Sequence, residues 1–235
     1  MKLNRLVVLI ASMFETLVLG CVVFVCLKNW YPGVYFDLFG SSLNLAFLVV
    51  ALLVLGPFLN VLVYKKDRTS YINDLSVIYL LKFCVLILWL HNFYSQRPIL
   101  LVFSVDRLVV VQAHQVPLGQ LPPEIAVMIL NSKQPPVVAA RKFAGDDVGM
   151  MIQVMAGAPD IEYRPTQYER FDYQRKDFLE RLCVGGIASA LEQSAFMTEC
   201  FVVEAPLVYK ADQYATAVFE VEQAILSQVL AKDPW

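Results

Sequence analysis

The chain has 235 residues, of which 58% are hydrophobic and 17% charged, with a formal net charge of −2 and a mean hydropathy of +0.57. Soluble domains average about 45–50% apolar and about 25% charged residues. The apolar surplus excludes a disordered chain, a coiled coil and a highly charged protein that binds nucleic acid. It also disfavours a single cytosolic domain.

The charged residues divide the chain into two unlike parts. Residues 1–95 carry 11 charged side chains and a net charge of +3, whereas residues 96–235 carry 29 and a net charge of −5. The back part has the length and composition of one soluble domain. We therefore predict a membrane domain over residues 1–95 and a small mixed α/β domain over residues 96–235.

Three stretches of the front part have the length of a transmembrane helix, about 20 mostly apolar residues. They cover residues 6–27, 43–64 and 72–94. The first is too long for the apolar core of a secretory signal peptide, and no small-x-small cleavage site follows it. We expect it to remain as a span.

Basic residues in the short loops predict the orientation of the spans. Lys2 and Arg5 precede the first span, and Lys65-Lys66-Asp67-Arg68 separates the second span from the third. Short loops rich in Lys and Arg stay in the cytoplasm. We expect a cytoplasmic N-terminus, three crossings and a C-terminal domain outside the cytoplasm.

Two charged side chains lie inside the predicted spans. Glu15 is nine residues into the first span and Lys82 ten residues into the third, so each lies about 14–15 Å from the cytoplasmic end of its helix. A charge at bilayer depth costs at least about 2.5 kcal/mol unless it is paired or hydrated. We predict an ion pair between Glu15 and Lys82. In the alternative, Lys82 extends toward an interface and Glu15 is protonated.

Gly56 and Pro57 lie together about two-thirds of the way along the second span. Proline removes a backbone donor and tends to kink a helix. The simpler interpretation is a proline that the membrane helix tolerates. The functional interpretation is a kink that opens a groove for another helix.

Ten of the twelve prolines lie at or after Pro98 and divide the back part into short elements. The residue patterns predict four strands, at 99–105, 108–113, 137–141 and 201–209, the last interrupted by Pro206. They predict four helices, at 123–130, 145–155, 167–182 and 186–194. A hairpin is indicated at 217–221 and 224–229, with a helix over 220–230 as the alternative.

No catalytic or metal-binding motif accompanies these elements. His91 and His114 stand in no ligand spacing, and the sequence has no Walker loop, dinucleotide-binding glycine pattern or nucleophile elbow. Cys183 and Cys200 are 17 residues apart, and an oxidising compartment would allow a disulfide worth about 3 kcal/mol. Two buried thiols are the alternative. We expect no cofactor, no metal ion and no enzymatic activity.

Several short motifs occur in an order that resembles a known family. They are Trp30-Tyr31-Pro32-Gly33, Leu55-Gly56-Pro57, the basic loop, Asp74-Leu75-Ser76-Val77-Ile78, Arg97-Pro98, Val102-Phe103-Ser104-Val105-Asp106-Arg107 and the final Asp233-Pro234-Trp235. Together they resemble the type IV pilin accessory proteins of the TfpX/TfpZ type, over nearly the whole chain. A polar uncharged residue is more usual in that family at the position of Lys82, so the predicted ion pair is a feature of this chain.

The resemblance implies an inner-membrane protein of a Gram-negative bacterium that assists a cognate type IV pilin as a dedicated chaperone or assembly factor. No catalytic residues come with the family. The implied partners are membrane lipid and the major pilin, whose apolar helix would pack on the spans while its head contacts the periplasmic domain. A homo-oligomer stays open, and no nucleic acid is expected.

Two other classes of function stay open at this stage. A membrane enzyme that modifies pilin would need a convergent acidic, histidine or cysteine site, and the sequence shows none. A sensor or regulatory subunit that binds a small ligand would need a cytoplasmic output module. The predicted cytoplasmic segments are only about five residues long at each of two places.

Overall fold

The chain folds as a helical unit followed by a unit built on a sheet. The structure, a computed structural model, describes residues 5–40, 43–64, 68–104, 107–141, 147–172, 178, 202–210, 213–220 and 225–230. The two compact units are Met1–Ser95 and Gln96–Trp235. This architecture confirms a membrane protein with three apolar helices followed by a small α/β domain.

The helical unit contains three segments that are long and apolar enough to cross a membrane, at Arg5–Trp30, Ala46–Val63 and Ile72–Ser95. Its elements, in chain order, are α1 (Arg5–Trp30), α2 (Val34–Gly40), α3 (Leu43–Leu53), a π-helical turn (Val54–Phe58), α4 (Leu59–Val63) and α5 (Arg68–Ser95). The second span therefore consists of α3, the π-helical turn and α4.

A narrow stripe of α1 faces the other helices. The buried residues of this stripe recur at spacings of four or seven positions, which is one face of an α-helix: Val8, Ser12, Thr16, Val23 and Leu27. Most other large apolar side chains of the spans are exposed. This is expected where the solvent is lipid, because lipid tails are as apolar as the side chains themselves.

The chain leaves the first span through Trp30-Tyr31-Pro32-Gly33. Gly33 has a φ of +58°, a left-handed conformation that glycine adopts without the steric cost of a Cβ atom. The backbone N–H groups of Tyr35 and Phe36 donate to the carbonyls of Pro32 and Gly33, at 3.3 and 3.2 Å. The motif thus forms the turn that starts α2.

The described part of the second unit contains one mixed sheet of seven strands. In chain order they are β1 (Pro98–Ser104), β2 (Arg107–Gln112), β3 (Val137–Ala140), β4 (Tyr168–Arg170), β5 (Val202–Lys210), β6 (Gln213–Glu220) and β7 (Ile225–Leu230). Their order across the sheet is β4-β3-β1-β2-β5-β6-β7. The pairs β1–β3 and β2–β5 are parallel, and the other four pairs are antiparallel.

Both faces of the central strands are covered. On one face, helix α6 (Pro123–Asn131) contributes Ile125 to a core with Leu100 and Val102. On the other face, Phe103, Phe171, Phe178 and Phe219 form an aromatic cluster, in which five ring pairs have centroids 4.9–6.4 Å apart. Burial on both faces explains why β1 and β2 are continuous apolar runs rather than alternating ones.

Among the described residues, the regular elements outside the sheet also include helix α7 (Asp147–Met155) and short 3₁₀ turns at Leu118–Gln120, Ile161–Tyr163 and Pro165–Gln167. The strands predicted at 99–105, 108–113 and 137–141 correspond to β1, β2 and β3. The helices predicted at 123–130 and 145–155 correspond to α6 and α7. The predicted hairpin is β6–β7. The helix predicted at 186–194 lies outside the described residues.

Two predictions for this domain are wrong in part. The helix predicted at 167–182 does not begin at residue 167, because Tyr168–Arg170 forms strand β4 and pairs with β3, and this tertiary pairing overrides the helical pattern of the three residues. Of its later residues, the structure describes Phe171, Asp172 and Phe178, and all three are helical. Pro206 does not interrupt β5, since it lies opposite Thr216 within a continuous pairing with β6. The pairing of β5 with β2 involves Leu207 and Val208, so no ladder bond to β2 depends on the missing proline N–H.

Candidate functional site

The structure brings Glu15 of α1 and Lys82 of α5 into direct contact. Lys82 Nζ lies 2.8 Å from Glu15 Oε1. The hydroxyl of Tyr79 donates to Glu15 Oε2 at 2.7 Å. Tyr79 and Lys82 are three positions apart and so share one face of α5. Both carboxylate oxygens of Glu15 are therefore hydrogen-bonded by the third span.

The two charges differ in their exposure. The Lys82 side chain is 4% exposed, whereas the Glu15 side chain is 31% exposed. A buried ion pair persists only where further hydrogen bonds satisfy the remaining polar atoms, and the Tyr79 hydroxyl supplies one of them. Lys82 thus lies inside the bundle, whereas its partner Glu15 lies at the edge of the bundle and is partly exposed.

The π-helical turn of the second span lies against this pair. Gly56 and Pro57, both within that turn, are buried. A Cβ atom at Gly56 would collide with Thr16 Oγ1 and lie 3.3 Å from Lys82 Nζ. A π-helical turn is one of the arrangements that accommodate a break in the helical hydrogen-bond ladder, such as proline makes. Helices α1 and α5 of the same chain fill the space beside Gly56.

Three further polar side chains are buried among the spans. The Ser12 and Thr16 hydroxyls donate to backbone carbonyls one turn earlier in α1, at 3.0 and 2.8 Å, which satisfies them locally. Asn60 lies one turn after Gly56 and is 3% exposed. Its Oδ1 has no hydrogen-bond partner among the residues that the structure describes. The first and second spans therefore contribute polar as well as apolar side chains to the interior of the bundle.

Aromatic residues join the C-terminal ends of α1 and α5. The Tyr31 hydroxyl donates to the Phe93 carbonyl at 2.8 Å. The rings of Trp30 and Tyr94 meet edge to face, with centroids 5.3 Å apart. Because these contacts and the Glu15–Lys82 pair occur at successive levels, the first and third spans run parallel. Trp30 and Tyr31 of the first motif thus fasten two spans together.

In the second unit, Arg107 holds a buried carboxylate. Its guanidinium donates to Glu162 Oε1 at 2.9 Å, and the Ser104 hydroxyl lies 3.4 Å from Glu162 Oε2. The Glu162 side chain is 5% exposed and the Arg107 side chain 37%. The Tyr168 hydroxyl donates to the Glu162 carbonyl. Burial raises the pKa of Tyr168, and the nearby Glu162 carboxylate raises it further. This cluster fixes the turn at Ile161–Tyr163 to the end of the β1–β2 hairpin.

The remaining predicted positions are divided between the framework of the fold and the undescribed part of the chain. Asp74 lies in α5, the Arg97 carbonyl accepts from Ala113 N–H at 3.0 Å, and Pro98 starts β1. Five predicted residues lie outside the described residues: Asp106, Cys183, Cys200, Pro234 and Trp235. In the described part of the chain, no three His, Cys, Asp or Glu side chains come together to hold a metal ion.

Sequence reasoning missed two partners in these clusters. Tyr79 was not singled out, although its position three residues before Lys82 places it on the same face of the helix. Glu162 gave no local signal, because it is 55 residues from Arg107 in the chain. A helical spacing rule could have found Tyr79, whereas only the folded topology reveals Glu162.

Comparison with known proteins relates the chain to a protein of fimbrial assembly. The chain is similar to the fimbrial assembly protein, serogroup I, of Dichelobacter nodosus, with 30% identity over 124 residues. The matched region covers 52% of this chain and 46% of that protein, so the chain spans about half the length of the curated relative that it matches. No protein-family model matches the chain, and no solved structure matches it.

Proposed function

We propose that this protein takes part in type IV pilus assembly, where it binds and stabilises a pilin in the bacterial inner membrane before the pilin enters the fibre. The similarity to a fimbrial assembly protein carries this proposal. The resemblance of the motifs to the TfpX/TfpZ type of pilin accessory protein supports it. The proposed role is chaperone-like and non-enzymatic.

A pilin that awaits assembly presents two different surfaces, an apolar helix in the membrane and a folded head outside it. This chain has one unit that suits each of these two surfaces. The spans would pack on the apolar helix by close contact and polar contacts, as membrane helices do. The sheet domain would contact the head. Once one unit has bound pilin, the other unit meets it at a raised effective concentration. The two units together would therefore hold pilin better than either unit alone.

Exposed apolar side chains on the helices of the second unit support a contact with the head. Leu130 of α6 is 83% exposed and Met155 of α7 is 80% exposed. Val127 and Ile152, one turn earlier in each helix, are 55% and 61% exposed. Methionine adapts its shape to different partners, and exposed apolar surface often marks a protein interaction site.

The proposed topology has a cytoplasmic N-terminus and a periplasmic sheet domain. The basic residues before the first span and between the second and third spans support this orientation. The parallel arrangement of the first and third spans fits an odd number of crossings. In this orientation the sheet domain and the pilin head would share the periplasm.

Pulse-chase labelling of pilin in cells that lack this protein tests the proposed function. We expect the half-life of membrane-bound pilin to shorten and surface pili to be lost, and the full chain supplied in trans to restore both. Unchanged pilin turnover together with normal surface piliation would contradict the proposal. Transcript levels of pilin serve as the control, because a regulatory subunit would change them and an assembly factor would not.

A further inference from the structure

A carboxylate is exposed on the surface of the spans near the middle of the membrane. Glu15 lies ten residues after the start of α1 at Arg5, about 15 Å along the helix, which is half of an apolar bilayer core of about 30 Å. Its side chain is 31% exposed although Lys82 and Tyr79 both donate to it. A group of this charge at this depth is costly unless it has a partner or a function.

The surface around this carboxylate is apolar. Val18 lies one turn after Glu15 on α1 and is 46% exposed, and Phe83 lies one turn after Tyr79 on α5 and is 62% exposed. Tyr79 itself is 41% exposed. We call Glu15, Val18, Tyr79 and Phe83 the Glu15 face. It combines an apolar contact surface with one acceptor at its centre.

The hydrogen-bonding capacity of the carboxylate is only partly used. An ionised carboxylate offers about four acceptor sites on its two oxygens, and the structure gives each oxygen of Glu15 one donor. Acyl chains cannot donate a hydrogen bond, and the core of a bilayer holds no water to do so. The group that best complements this face is therefore a donor carried by another membrane helix.

A second copy of this chain complements the face poorly. In a symmetric pair the same surface patch would meet itself, so one Glu15 carboxylate would face another. The donors at this level, Lys82 Nζ and the Tyr79 hydroxyl, are already directed at Glu15 of their own chain. Two acceptors of like charge would then meet in hydrocarbon, which is unfavourable.

We propose that the Glu15 face binds a transmembrane helix of another protein that presents a hydrogen-bond donor, a hydroxyl, an amide or an ammonium group, at mid-bilayer depth. This inference rests on the proposed function, in which the helix is the apolar helix of pilin. It adds the place of contact on the spans and the chemistry of the group that the partner must carry.

Photocrosslinking from the full-length protein in the native membrane tests this contact. The photoreactive residue p-benzoylphenylalanine replaces Val18 or Phe83 on the Glu15 face, and Leu62 or Leu88 as controls that are each 68% exposed on other parts of the spans. We expect pilin to be captured from Val18 and Phe83 and not from Leu62 or Leu88. Mass spectrometry of the crosslinked peptide identifies the donor residue.

Two variants then test the role of the carboxylate. Glu15→Leu combined with Lys82→Leu removes the acceptor without leaving a buried charge, and apolar replacement of a buried ion pair usually preserves a fold. We expect capture from Phe83 to fall at least about tenfold, because a hydrogen bond to a charged group accounts for that much affinity. Leu88→Ala changes an exposed position outside the Glu15 face and should leave capture from Phe83 unchanged. Protein level and thermal stability in detergent show that each variant is folded.

The outcomes separate this inference from the proposed function. Capture of pilin from Leu62 or Leu88, but not from Val18 or Phe83, would overturn the Glu15 face and leave the proposed function standing. Capture of a second copy of this chain, or of lipid alone, from the Glu15 face would also overturn the inference. Failure to capture pilin from any position, including exposed positions on the sheet domain, would contradict both.

Discussion

Lys82 of the third span and Glu15 of the first span form an ion pair, with 2.8 Å between Nζ and Oε1, in which the lysine is 4% exposed. Removing one partner of a buried pair leaves a charge without compensation, which costs about 3–5 kcal/mol. We predict that Glu15→Gln destabilises the full-length protein by about this amount. Lys82→Gln should cost less, since the carboxylate that it leaves is partly exposed and keeps its bond from Tyr79.

The double variant Glu15→Gln with Lys82→Gln should recover most of the loss, because no charge then remains buried. The free energy of unfolding in detergent micelles, measured for the four proteins of the cycle, gives the coupling directly. Costs that simply add would contradict the ion pair.

Gly56 should not tolerate a methyl group. An alanine Cβ at this position collides with Thr16 Oγ1 and lies 3.3 Å from Lys82 Nζ, so the second span must shift away from the first. We expect Gly56→Ala to destabilise the spans by about 1–3 kcal/mol, the usual cost of overpacking. Gly20→Ala is the matched control, since an added Cβ there meets none of the described atoms within 4 Å. Equal thermal stability of the two variants would count against the close approach.

Arg107 should matter more to the sheet domain than the more exposed Arg141. Arg107→Met leaves the Glu162 carboxylate, 5% exposed, without its charged partner, which should cost about 2 kcal/mol. Arg141→Met removes a guanidinium group that is 68% exposed and that pairs with Glu169, itself 15% exposed. A pair with one partner so exposed to solvent contributes at most about 1 kcal/mol. Urea titration of the full-length variants, followed by limited proteolysis of the sheet domain, measures the difference. A larger loss for Arg141→Met would refute this ranking.

Tyr168 should make the sheet domain sensitive to alkaline pH. Burial raises the pKa of its hydroxyl above the ordinary value of about 10. The unfolded chain therefore loses this proton at a lower pH than the folded chain does. The Tyr168 hydroxyl therefore contributes its full stabilisation below about pH 10, and this stabilisation is lost as the pH rises from there through the pKa of Tyr168 in the folded protein.

We expect Tyr168→Phe to lower stability at neutral pH by about 1 kcal/mol, the value of the lost hydrogen bond to the Glu162 carbonyl. It should also weaken the fall in stability above pH 10. Tyr214→Phe, at a position that is 52% exposed, serves as the control and should keep the wild-type profile. Denaturant midpoints between pH 7 and 11 provide the measurement. Parallel pH profiles for the wild type and Tyr168→Phe would contradict the assignment.

The membrane part of the molecule was the more predictable from sequence. A helix has a fixed rise per residue, so counting positions along two parallel spans was enough to place Glu15 and Lys82 at the same depth. The role of Gly56 was harder to predict from the sequence. Its neighbours Thr16 and Lys82 belong to two other helices, and a Gly-Pro pair by itself does not say which helix packs against it.

The sheet domain was predictable only in its stronger elements. The apolar runs at residues 99–105 and 108–113 correctly predicted strands β1 and β2. Strand β4 was not predicted, because it is only three residues long and its charged residues Glu169 and Arg170 suit an exposed helix as well as a strand. Its pairing with β3 involves residues about 30 positions earlier in the chain. The Arg107–Glu162 contact likewise depends on how the strands are ordered, which local pattern does not encode.

The proposed function requires that pilin be held by its membrane helix and its head at the same time. The most direct measurement is quantitative capture by the full-length protein of intact pilin, of pilin without its head and of pilin without its membrane helix. Two-part binding predicts that intact pilin is retained at least about tenfold better than either truncated form, because the second contact benefits from a raised effective concentration. Equal retention of intact pilin and one truncated form, or no retention of intact pilin, would contradict the account.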